Sequence, residues 1–448
     1  VDSSGQLALM PRVAPLSEAL VMSLAADIPA ATTTMRGSYG DNRQLITLDS
    51  ETTGCLDGTP YKFYIWPGNS SDWSVTIQGG GWCLDEELCQ NRAQISARGS
   101  SKNWNISGAW GPTAQNINGG PAAYTCEGLG SNCTRVYMPY CDGSCFSSSR
   151  AAPWPVNGTN YSLTFRGQGN LDRTIDTLQA DFGFAKAKRL VISGGSAGGL
   201  STYLKVDHFA DRLRAAQAAD ADAEAAEAEN EATAALPPSP GPRVVGRPVA
   251  GFFIDGPSFD PTLPTFAEQV KYGVAMFNAT PPLSTKCKTN YVGEEWKCWM
   301  APYAAPFVRE PVFAVQSRFD EFQLQNLLGL PCFHGQTYAP PYSNISAQCN
   351  TSEKAAIVRF GADLLEQMQP WLQRKPESGA WLVSCIQHDV NVPAAEFHNI
   401  TETQAFTSWL NGESLGKEKG YRFFDDCGAS NDGTTPCAVG PTCAPPHF

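Results

Sequence analysis

Short apolar runs, separated by glycine- and proline-rich turns, recur along this chain. Alternating apolar positions predict a hairpin strand at residues 61–65 and a strand at 73–77. Further apolar runs predict strands at 135–138, 189–193, 249–254, 311–316 and 381–384. Apolar residues that return every three or four positions predict helices over 170–182 and 354–372. Strands that alternate with helices imply a mostly parallel central sheet with helices on both faces.

Three segments differ from this pattern. Residues 1–44 are broken by prolines, so we expect an irregular N-terminal arm, followed by one large α/β domain over 45–430 and a cysteine-containing tail over 431–448. Residues 215–242 form an acidic insertion rich in alanine and proline. Its lack of large apolar residues predicts a solvated helix or a disordered insertion, and an acidic arm that binds a partner is the alternative.

Charge and hydropathy exclude two classes of function. The net charge of −12 argues against a protein that binds nucleic acid, because neutralising phosphates requires a basic surface. The sequence has no run of eighteen apolar residues, which argues against an integral membrane segment.

The cysteines indicate disulfides rather than a metal site. The chain has 15 Cys but only 5 His, without a Cys-x-x-Cys pair or a His-Glu-x-x-His motif. Close pairs such as Cys83/Cys89, Cys141/Cys145 and Cys287/Cys298 suit disulfide bonds. The odd count leaves at least one thiol unpaired or paired between chains.

Acceptor sequences for N-linked glycans are frequent and point to the same compartment. They lie at Asn69, Asn105, Asn132, Asn157, Asn160, Asn278, Asn344, Asn350 and Asn399. Since disulfides and glycans both belong to the secretory route, we expect a secreted, extracellular or cell-wall protein whose signal peptide has been removed.

The chemistry is concentrated in a Gly-x-Ser-x-Gly motif at Gly194–Gly198. A β-branched run enters this motif and a helix-compatible sequence leaves it, as in the nucleophile elbow of serine hydrolases. Small neighbours allow the strained turn, and the helix N-terminus stabilises negative charge beside Ser196. Ser196 is therefore the candidate nucleophile.

A serine nucleophile needs a base and an acid, which follow late strands in this type of fold. His388 comes shortly after the run 381–385 and is the candidate base, with His398 as the alternative. Asp320 comes just after the run 311–316 and is the candidate acid, with Asp255 as its competitor. We expect Glu321 to face solvent, and Asp389 to orient His388 poorly because neighbouring side chains diverge.

The remaining histidines are poor candidates for the base. His208 lies on the helix that leaves the elbow, His334 lies in a loop between cysteines, and His447 is near the end of the chain.

An oxyanion hole needs backbone N–H groups beside the nucleophile. Ala197 follows the serine directly and supplies one donor. The glycine-rich stretch 79–83, after the strand at 73–77, supplies Gly81 and Trp82 as the other candidate donors.

These motifs resemble those of the plant pectin acetylesterases and their animal relative Notum, a secreted carboxylesterase. The similar stretches run in the same order over roughly residues 45 to 430. They include 79–83 with Cys89, 99–102, 140–143, 165–167, 195–199, 250–253, 293–296, the Asp320 segment, and Ser384–Cys385 with His388. The resemblance implies the triad Ser196, Asp320 and His388 and the oxyanion loop at Gly81 and Trp82. We expect an α/β-hydrolase fold with long disulfide-bonded loops, and this chemistry needs no metal or organic cofactor.

The resulting hypothesis is a secreted serine acetylesterase. Its expected substrate is an O-acetylated cell-wall or matrix polysaccharide, either pectin or a neutral glycan. A deacylase of longer acyl esters or lipidated proteins is the first alternative. A noncatalytic binding module on the same fold is the second.

Overall fold

The structure is a computed structural model, which describes residues 31–36, 42–68, 71–104, 126–228, 241–333, 349–388, 396–397, 400–414 and 421–424. Thr32–Phe448 forms one compact unit by itself.

A ten-stranded sheet forms the centre of the molecule. Its strands are β1 (Ala31–Arg36), β2 (Gln44–Asp49), β3 (Tyr61–Trp66), β4 (Asp72–Ile77), β5 (Thr134–Met138), β8 (Arg189–Gly195), β9 (Arg243–Val249), β10 (Phe313–Phe319), β11 (Gly379–Ile386) and β14 (Arg422–Phe424). Two antiparallel ribbons lie outside it: β6 (Trp154–Pro155) with β7 (Ser162–Leu163), and β12 (Glu396–Phe397) with β13 (Ile400–Thr401).

The strands of the sheet are ordered β1-β2-β3-β5-β4-β8-β9-β10-β11-β14. β2, β3 and β5 pair antiparallel, whereas every pairing from β5 to β14 is parallel. The parallel strands all end at the same edge of the sheet, so the loops that follow β4, β8, β10 and β11 meet there.

Helices cover both faces of the sheet. They are α1 (Glu86–Ile95), α2 (Gly167–Phe182), α3 (Ala197–Ala228), α4 (Phe266–Phe277), α5 (Thr285–Asn290), α6 (Ala301–Ala304), α7 (Thr351–Arg374) and α8 (Glu402–Asn411). Strand β8 shows why two layers are needed: Leu190 and Ile192 belong to the larger apolar core, whereas Val191 packs into a second core with α8. The predicted mostly parallel sheet with helices on both faces is therefore confirmed.

Local signals set the ends of several helices. In α7 the side chain of Asn350 accepts from the N–H of Glu353, whose carboxylate in turn accepts from the N–H of Asn350. This capping box satisfies two otherwise unpaired donors of the first turn. Thr265 and Glu268 cap α4 in the same way.

The predicted strand at 249–254 is wrong in its position. β9 ends at Val249, and the next residue, Ala250, has φ 48°, which ends the extended conformation. The N–H groups of Phe252 and Ile254 then donate to side chains rather than to a neighbouring strand. The polar residues of Arg243–Val249 conceal the strand from a search for apolar runs.

The structure also changes the expected ends of two segments. The segment predicted to be an irregular arm contains β1, whose threonine run favours a strand. Helix α3 leaves the elbow and continues to Ala228, so the first part of the acidic insertion is helical. Residues 229–240 and the tail 431–448 lie outside the described part of the chain.

Five disulfides connect described cysteines: Cys55–Cys141, Cys83–Cys89, Cys126–Cys133, Cys287–Cys298 and Cys332–Cys349. The predicted pairs 83/89 and 287/298 are confirmed, but the pair Cys141/Cys145 is wrong. The turn around Asp142 places the sulfur of Cys145 beside the hydroxyl of Tyr140, while Cys141 bonds to Cys55. Burial raises the pKa of the free Cys145 thiol to about 12, which keeps it protonated.

Candidate active site

Ser196 occupies the sharp turn between β8 and α3. Its φ of 57° lies in the left-handed region, which is costly for a serine. Glycines make the turn possible, because a β-carbon on Gly194 would collide with the backbone of Gly198, and one on Gly198 would collide with the carbonyl of Ile77. The N–H of Ser196 donates to the carbonyl of Val249 at 2.8 Å, which fixes the turn to the neighbouring strand.

His388 lies between Ser196 and Asp320. Its Nε2 is 2.7 Å from Oγ of Ser196, and its Nδ1 is 2.9 and 3.0 Å from the two carboxylate oxygens of Asp320. Asp320 follows β10 directly and is fully buried, and His388 lies two residues beyond β11. The structure thus brings together the three residues that the sequence analysis selected.

Two glutamines hold the carboxylate of Asp320. The side-chain amide of Gln316 donates to Oδ2 at 3.0 Å, and the backbone N–H of Gln323 donates to Oδ1 at 3.1 Å. The Gln316 side chain also accepts from the N–H of Phe252, which connects Asp320 to the loop after β9. Sequence reasoning missed Gln316, although a lone amide inside an apolar strand is a usable signal for a buried polar contact.

The competing acid has a different partner. Asp255 accepts a hydrogen bond from the hydroxyl of Tyr303, and its backbone carbonyl accepts from Gln367.

The predicted exposure of Glu321 is wrong, since only 2% of this residue is accessible. β10 continues into a π-helical turn, Gln323–Leu327, which keeps the residues after Asp320 against the core.

The competing bases are separated from Ser196 or cannot be placed. His208 contacts Asp172 at 2.6 Å. His334, Asp389, His398 and His447 lie outside the described residues.

The glycine-rich loop 79–83 lies against the elbow. A β-carbon on Gly79 would collide with the carbonyl of Gly195 and press on the β-carbon of Ser196. Gly80 and Gly81 have φ values of 124° and 66°, conformations that favour glycine. Within the described residues no acceptor binds the N–H of Gly81 or Trp82, so both donors are available.

Ala197 contributes a third N–H group. It is the first residue of α3, where backbone donors lack partners inside the helix and the helix dipole is positive. Three unpaired donors near one hydroxyl can stabilise an oxyanion that forms on an attacked carbonyl.

An aromatic cluster surrounds the same place. The ring of Trp82 packs against four aromatic rings at centroid distances between 4.7 and 6.0 Å, those of Phe253, Phe266, Trp299 and Phe322. Phe322 stacks on the imidazole of His388 at 5.0 Å. Large rings therefore pack beside the oxyanion loop and against the imidazole of His388.

The described residues offer poor support for a metal. Cys332, Cys349 and Glu353 form the one group of three potential ligands among them, but the two sulfurs are bonded to each other.

None of the helices that the structure describes has the length and apolar character needed to cross a bilayer.

Comparison with known proteins identifies a family and an activity. A family model described as Pectinacetylesterase matches residues 40–419. The chain is 26% identical over 378 residues to pectin acetylesterase 7 of Arabidopsis thaliana, covering 80% of this chain and 84% of that protein. It is 27% identical over 313 residues to palmitoleoyl-protein carboxylesterase notum1a of Danio rerio, covering 64% of this chain and 53% of that protein.

A solved structure shares the fold. The Wnt deacylase Notum from Drosophila aligns with a TM-score of 0.63 at 21% sequence identity, over 89% of this chain and 98% of that chain. This similarity confirms the predicted α/β-hydrolase type of fold.

Proposed function

The chain belongs to the pectinacetylesterase family and is an esterase, and we propose that it is a serine hydrolase that removes acetyl groups from a polysaccharide. Ser196 is the nucleophile, His388 is the base and Asp320 orients the base. The contact of 2.7 Å between Nε2 of His388 and Oγ of Ser196 carries this proposal.

The reaction proceeds through an acyl-enzyme. Oγ of Ser196 attacks the ester carbonyl while Nε2 of His388 takes its proton, and the N–H groups of Gly81, Trp82 and Ala197 stabilise the oxyanion. The ester C–O bond then breaks, and the imidazolium returns the proton to the leaving sugar hydroxyl. A water molecule, deprotonated by His388, attacks the acyl group and releases acetate and free Ser196. Asp320 stabilises the imidazolium at both steps.

The aromatic cluster favours a short acyl group. Phe253 and Trp299 are fully buried and Phe266 almost so, and these rings pack against Trp82 next to a proposed oxyanion donor. An acetyl methyl needs little room, whereas a long chain would have to displace these rings. The name of the Arabidopsis relatives, pectin acetylesterase, is consistent with this acyl group and suggests a polysaccharide.

An acyl-length series tests this assignment against the alternatives. p-Nitrophenyl esters from acetyl to octanoyl should be hydrolysed with steadily falling kcat/KM. A maximum at octanoyl would instead favour a deacylase of long acyl chains, the activity named in the relative from Danio rerio. A noncatalytic module would hydrolyse none of these esters and would not react with a fluorophosphonate probe.

We further infer that the protein is secreted and glycosylated. The described asparagines Asn157, Asn160 and Asn350 are exposed, and Asn350 caps α7 through its oxygen, which leaves its amide nitrogen available. Mass spectrometry of tryptic peptides before and after removal of N-glycans checks this pattern.

A further inference from the structure

A second buried carboxylate lies near the proposed oxyanion hole but takes no part in the proposed reaction. Asp142 lies shortly after β5 and is fully buried. Its Oδ2 accepts hydrogen bonds from the N–H groups of Ser144 and Phe146, each at 3.2 Å, and from the hydroxyl of Ser144. The hydroxyl of Ser148 contacts the same oxygen at 3.5 Å. Such donors stabilise a buried carboxylate, and here all of them come from the turn 142–148.

The backbone of the turn 142–148 is strained. Cys145 and Phe146 have φ values of 56° and 55°, in the left-handed region that is costly for residues other than glycine. The carboxylate of Asp142 binds the N–H groups on both sides of Cys145, those of Ser144 and Phe146. Without an acceptor at this position the turn would lose the bonds that offset the strain, so we expect it to relax.

The turn 142–148 contacts the oxyanion loop 79–83 at its last residue. The N–H of Cys83 donates to the carbonyl of Gly143 at 3.2 Å, and a β-carbon on Gly143 would collide with the sulfur of Cys83. Cys83 directly follows Trp82, whose N–H is a proposed oxyanion donor. A displacement of Gly143 would therefore move the chain next to that donor.

Further contacts reach the side chain of Trp82 and the start of the loop. The indole N–H of Trp299 donates to the carbonyl of Ser144 at 3.1 Å, and the ring of Trp299 packs edge-on against Trp82 at 5.7 Å. Just before the loop, the side chain of Gln78 accepts from the N–H of Tyr140 at 2.9 Å. The segment around Asp142 thus contacts both ends of the oxyanion loop and supports the ring of Trp82.

Two buried cations act on Asp142. The guanidinium of Arg92, on α1, lies over the ring of Tyr140 at 5.0 Å, and Lys205, on α3, is 1% accessible. Burial raises the pKa of Asp142, while hydrogen bonds within the turn and the charges of Arg92 and Lys205 act in the opposite direction. Helix α1 begins just after the oxyanion loop and α3 begins at Ala197. These charges therefore link Asp142 to both sources of the proposed oxyanion donors.

We propose that Asp142 is a positioning residue for the oxyanion hole, which acts through the turn 142–148 on the N–H group and the ring of Trp82. This inference rests on the proposed esterase function, in which Trp82 stabilises the oxyanion. Oxyanion donors must match the position of the transition-state oxygen, and a displacement of about 1 Å can cost about a hundredfold in rate. Because Asp142 touches no reacting atom in the proposed mechanism, its effect should appear in kcat rather than in KM.

The contacts of Asp142 predict which replacement the turn tolerates. All of the hydrogen bonds above go to Oδ2, whereas Oδ1 has no hydrogen-bond partner among the described residues. The amide oxygen of an asparagine can take the position of Oδ2 and accept the same bonds, which the methyl group of an alanine cannot do. Asp142→Asn should therefore keep the turn, and Asp142→Ala should not.

The test compares Asp142→Ala and Asp142→Asn with wild type on p-nitrophenyl acetate, with kcat expressed per serine titrated to completion by a fluorophosphonate. We expect kcat of Asp142→Ala to fall about 10- to 100-fold while KM changes less than about threefold, and Asp142→Asn to stay within about fivefold of wild type. Binding of a boronic acid, whose tetrahedral adduct places an oxygen in the oxyanion hole, should weaken by the same factor as kcat/KM. The acid limb of the pH profile of kcat/KM, which reports the proposed base, should not move.

Glu310→Ala is the matched control. Glu310 is a carboxylate that is 7% accessible and pairs with Arg214, but it precedes β10 and so lies at the edge of the sheet opposite the proposed site. Its removal should lower the thermal midpoint and leave kcat per titrated serine unchanged. A fall in kcat equal to that of Asp142→Ala would show that kcat follows general destabilisation, and would reject the proposal.

Three other results would overturn the inference. A kcat of Asp142→Ala within about threefold of wild type would show that the oxyanion hole does not depend on this residue. Equal losses in Asp142→Ala and Asp142→Asn would assign the effect to the charge instead of the turn. A shifted acid limb of the pH profile would place the effect on His388.

If Asp142→Ala does not fold, Trp299→Phe decides. This change keeps a ring beside Trp82 but removes the N–H that binds the carbonyl of Ser144, so kcat should fall about three- to tenfold. An unchanged kcat rejects the proposal. Failure of wild type to hydrolyse any acetate ester and to react with the fluorophosphonate would instead reject the proposed function itself.

Discussion

The imidazole of His388 stacks on the ring of Phe322, with the centroids 5.0 Å apart and the planes inclined by 30°. Phe322 lies two residues after Asp320, so a single short segment supplies both the carboxylate that binds Nδ1 of His388 and the ring that covers its face. The position of the proposed base therefore depends on the turn after β10. We expect its orientation to be more sensitive to changes in that turn than to changes in the residues next to His388 in the chain.

Replacement of Ser196 by alanine should abolish esterase activity without unfolding the protein. The proposed acyl-enzyme needs Oγ, so kcat for p-nitrophenyl acetate should fall roughly 10⁴-fold or more. Circular dichroism and the thermal midpoint should stay close to those of wild type. Ser258→Ala, a change outside the site, is the control. Turnover within tenfold of wild type would exclude Ser196 as the nucleophile.

Asp320→Asn should lower kcat by roughly 10³- to 10⁴-fold with little change in KM. An amide in place of the carboxylate favours the wrong tautomer of His388 and no longer stabilises the imidazolium. Asp255→Asn is the matched control, because Asp255 also follows an apolar run but binds Tyr303. Steady-state kinetics of both variants check the assignment, which fails if the two lose activity equally.

Phe266→Ala should shift the preference from acetyl toward longer acyl esters. The ring of Phe266 packs on Trp82 at 5.1 Å, and its removal opens space beside the proposed oxyanion hole. Each additional buried methylene is worth about 1 kcal/mol, so the ratio of hexanoate to acetate hydrolysis should rise at least about tenfold. An unchanged ratio would mean that other residues limit the acyl chain.

Lys205 should make the stability of the protein rise with pH in the alkaline range. Burial lowers the pKa of its ammonium from 10.5 to about 8, and its Nζ donates to Gln168 at 2.9 Å. Between these two values the unfolded chain binds more protons than the folded chain, so the free energy of unfolding should rise by about 1.4 kcal/mol per pH unit. Below about pH 8 both states hold the proton and this dependence disappears.

Denaturant unfolding of wild type and Lys205→Met measures this effect. The unfolding free energy of wild type minus that of Lys205→Met should rise from about pH 8 to about pH 10. Lys271→Met, which removes an exposed lysine, should leave the dependence intact. Parallel curves for wild type and Lys205→Met would show that Lys205 titrates normally.

The Cys55–Cys141 disulfide should stabilise the fold more than Cys287–Cys298 does. The first closes a loop with a sequence separation of 86 and the second one of 11. Chain entropy then gives about 4–5 kcal/mol for the first bond and about 3 kcal/mol for the second. Paired alanine variants of each disulfide, compared by denaturant unfolding, should follow that order. The reverse order would point to strain or to residual structure in the unfolded chain.

The sequence by itself determined which residues are the candidates for the proposed chemistry. Ser196 in a Gly-x-Ser-x-Gly motif, with Asp320 and His388 just after late apolar runs, is local information, because each residue follows a strand that its own neighbours specify. The alternation of strands and helices gave the fold class for the same reason. Where polar residues interrupt a strand, as at Arg243–Val249, local patterns failed to predict its position.

Only the tertiary structure decided which of these residues meet. It assigned Asp255 to Tyr303 and Asp320 to His388, a choice that depends on how β9 and β10 lie side by side. It also paired Cys141 with Cys55 and placed Arg98 over Gly80, contacts between residues far apart in the chain or across a turn. Such contacts are set by the packing of the whole sheet and its loops, so no pattern within a short segment contains them.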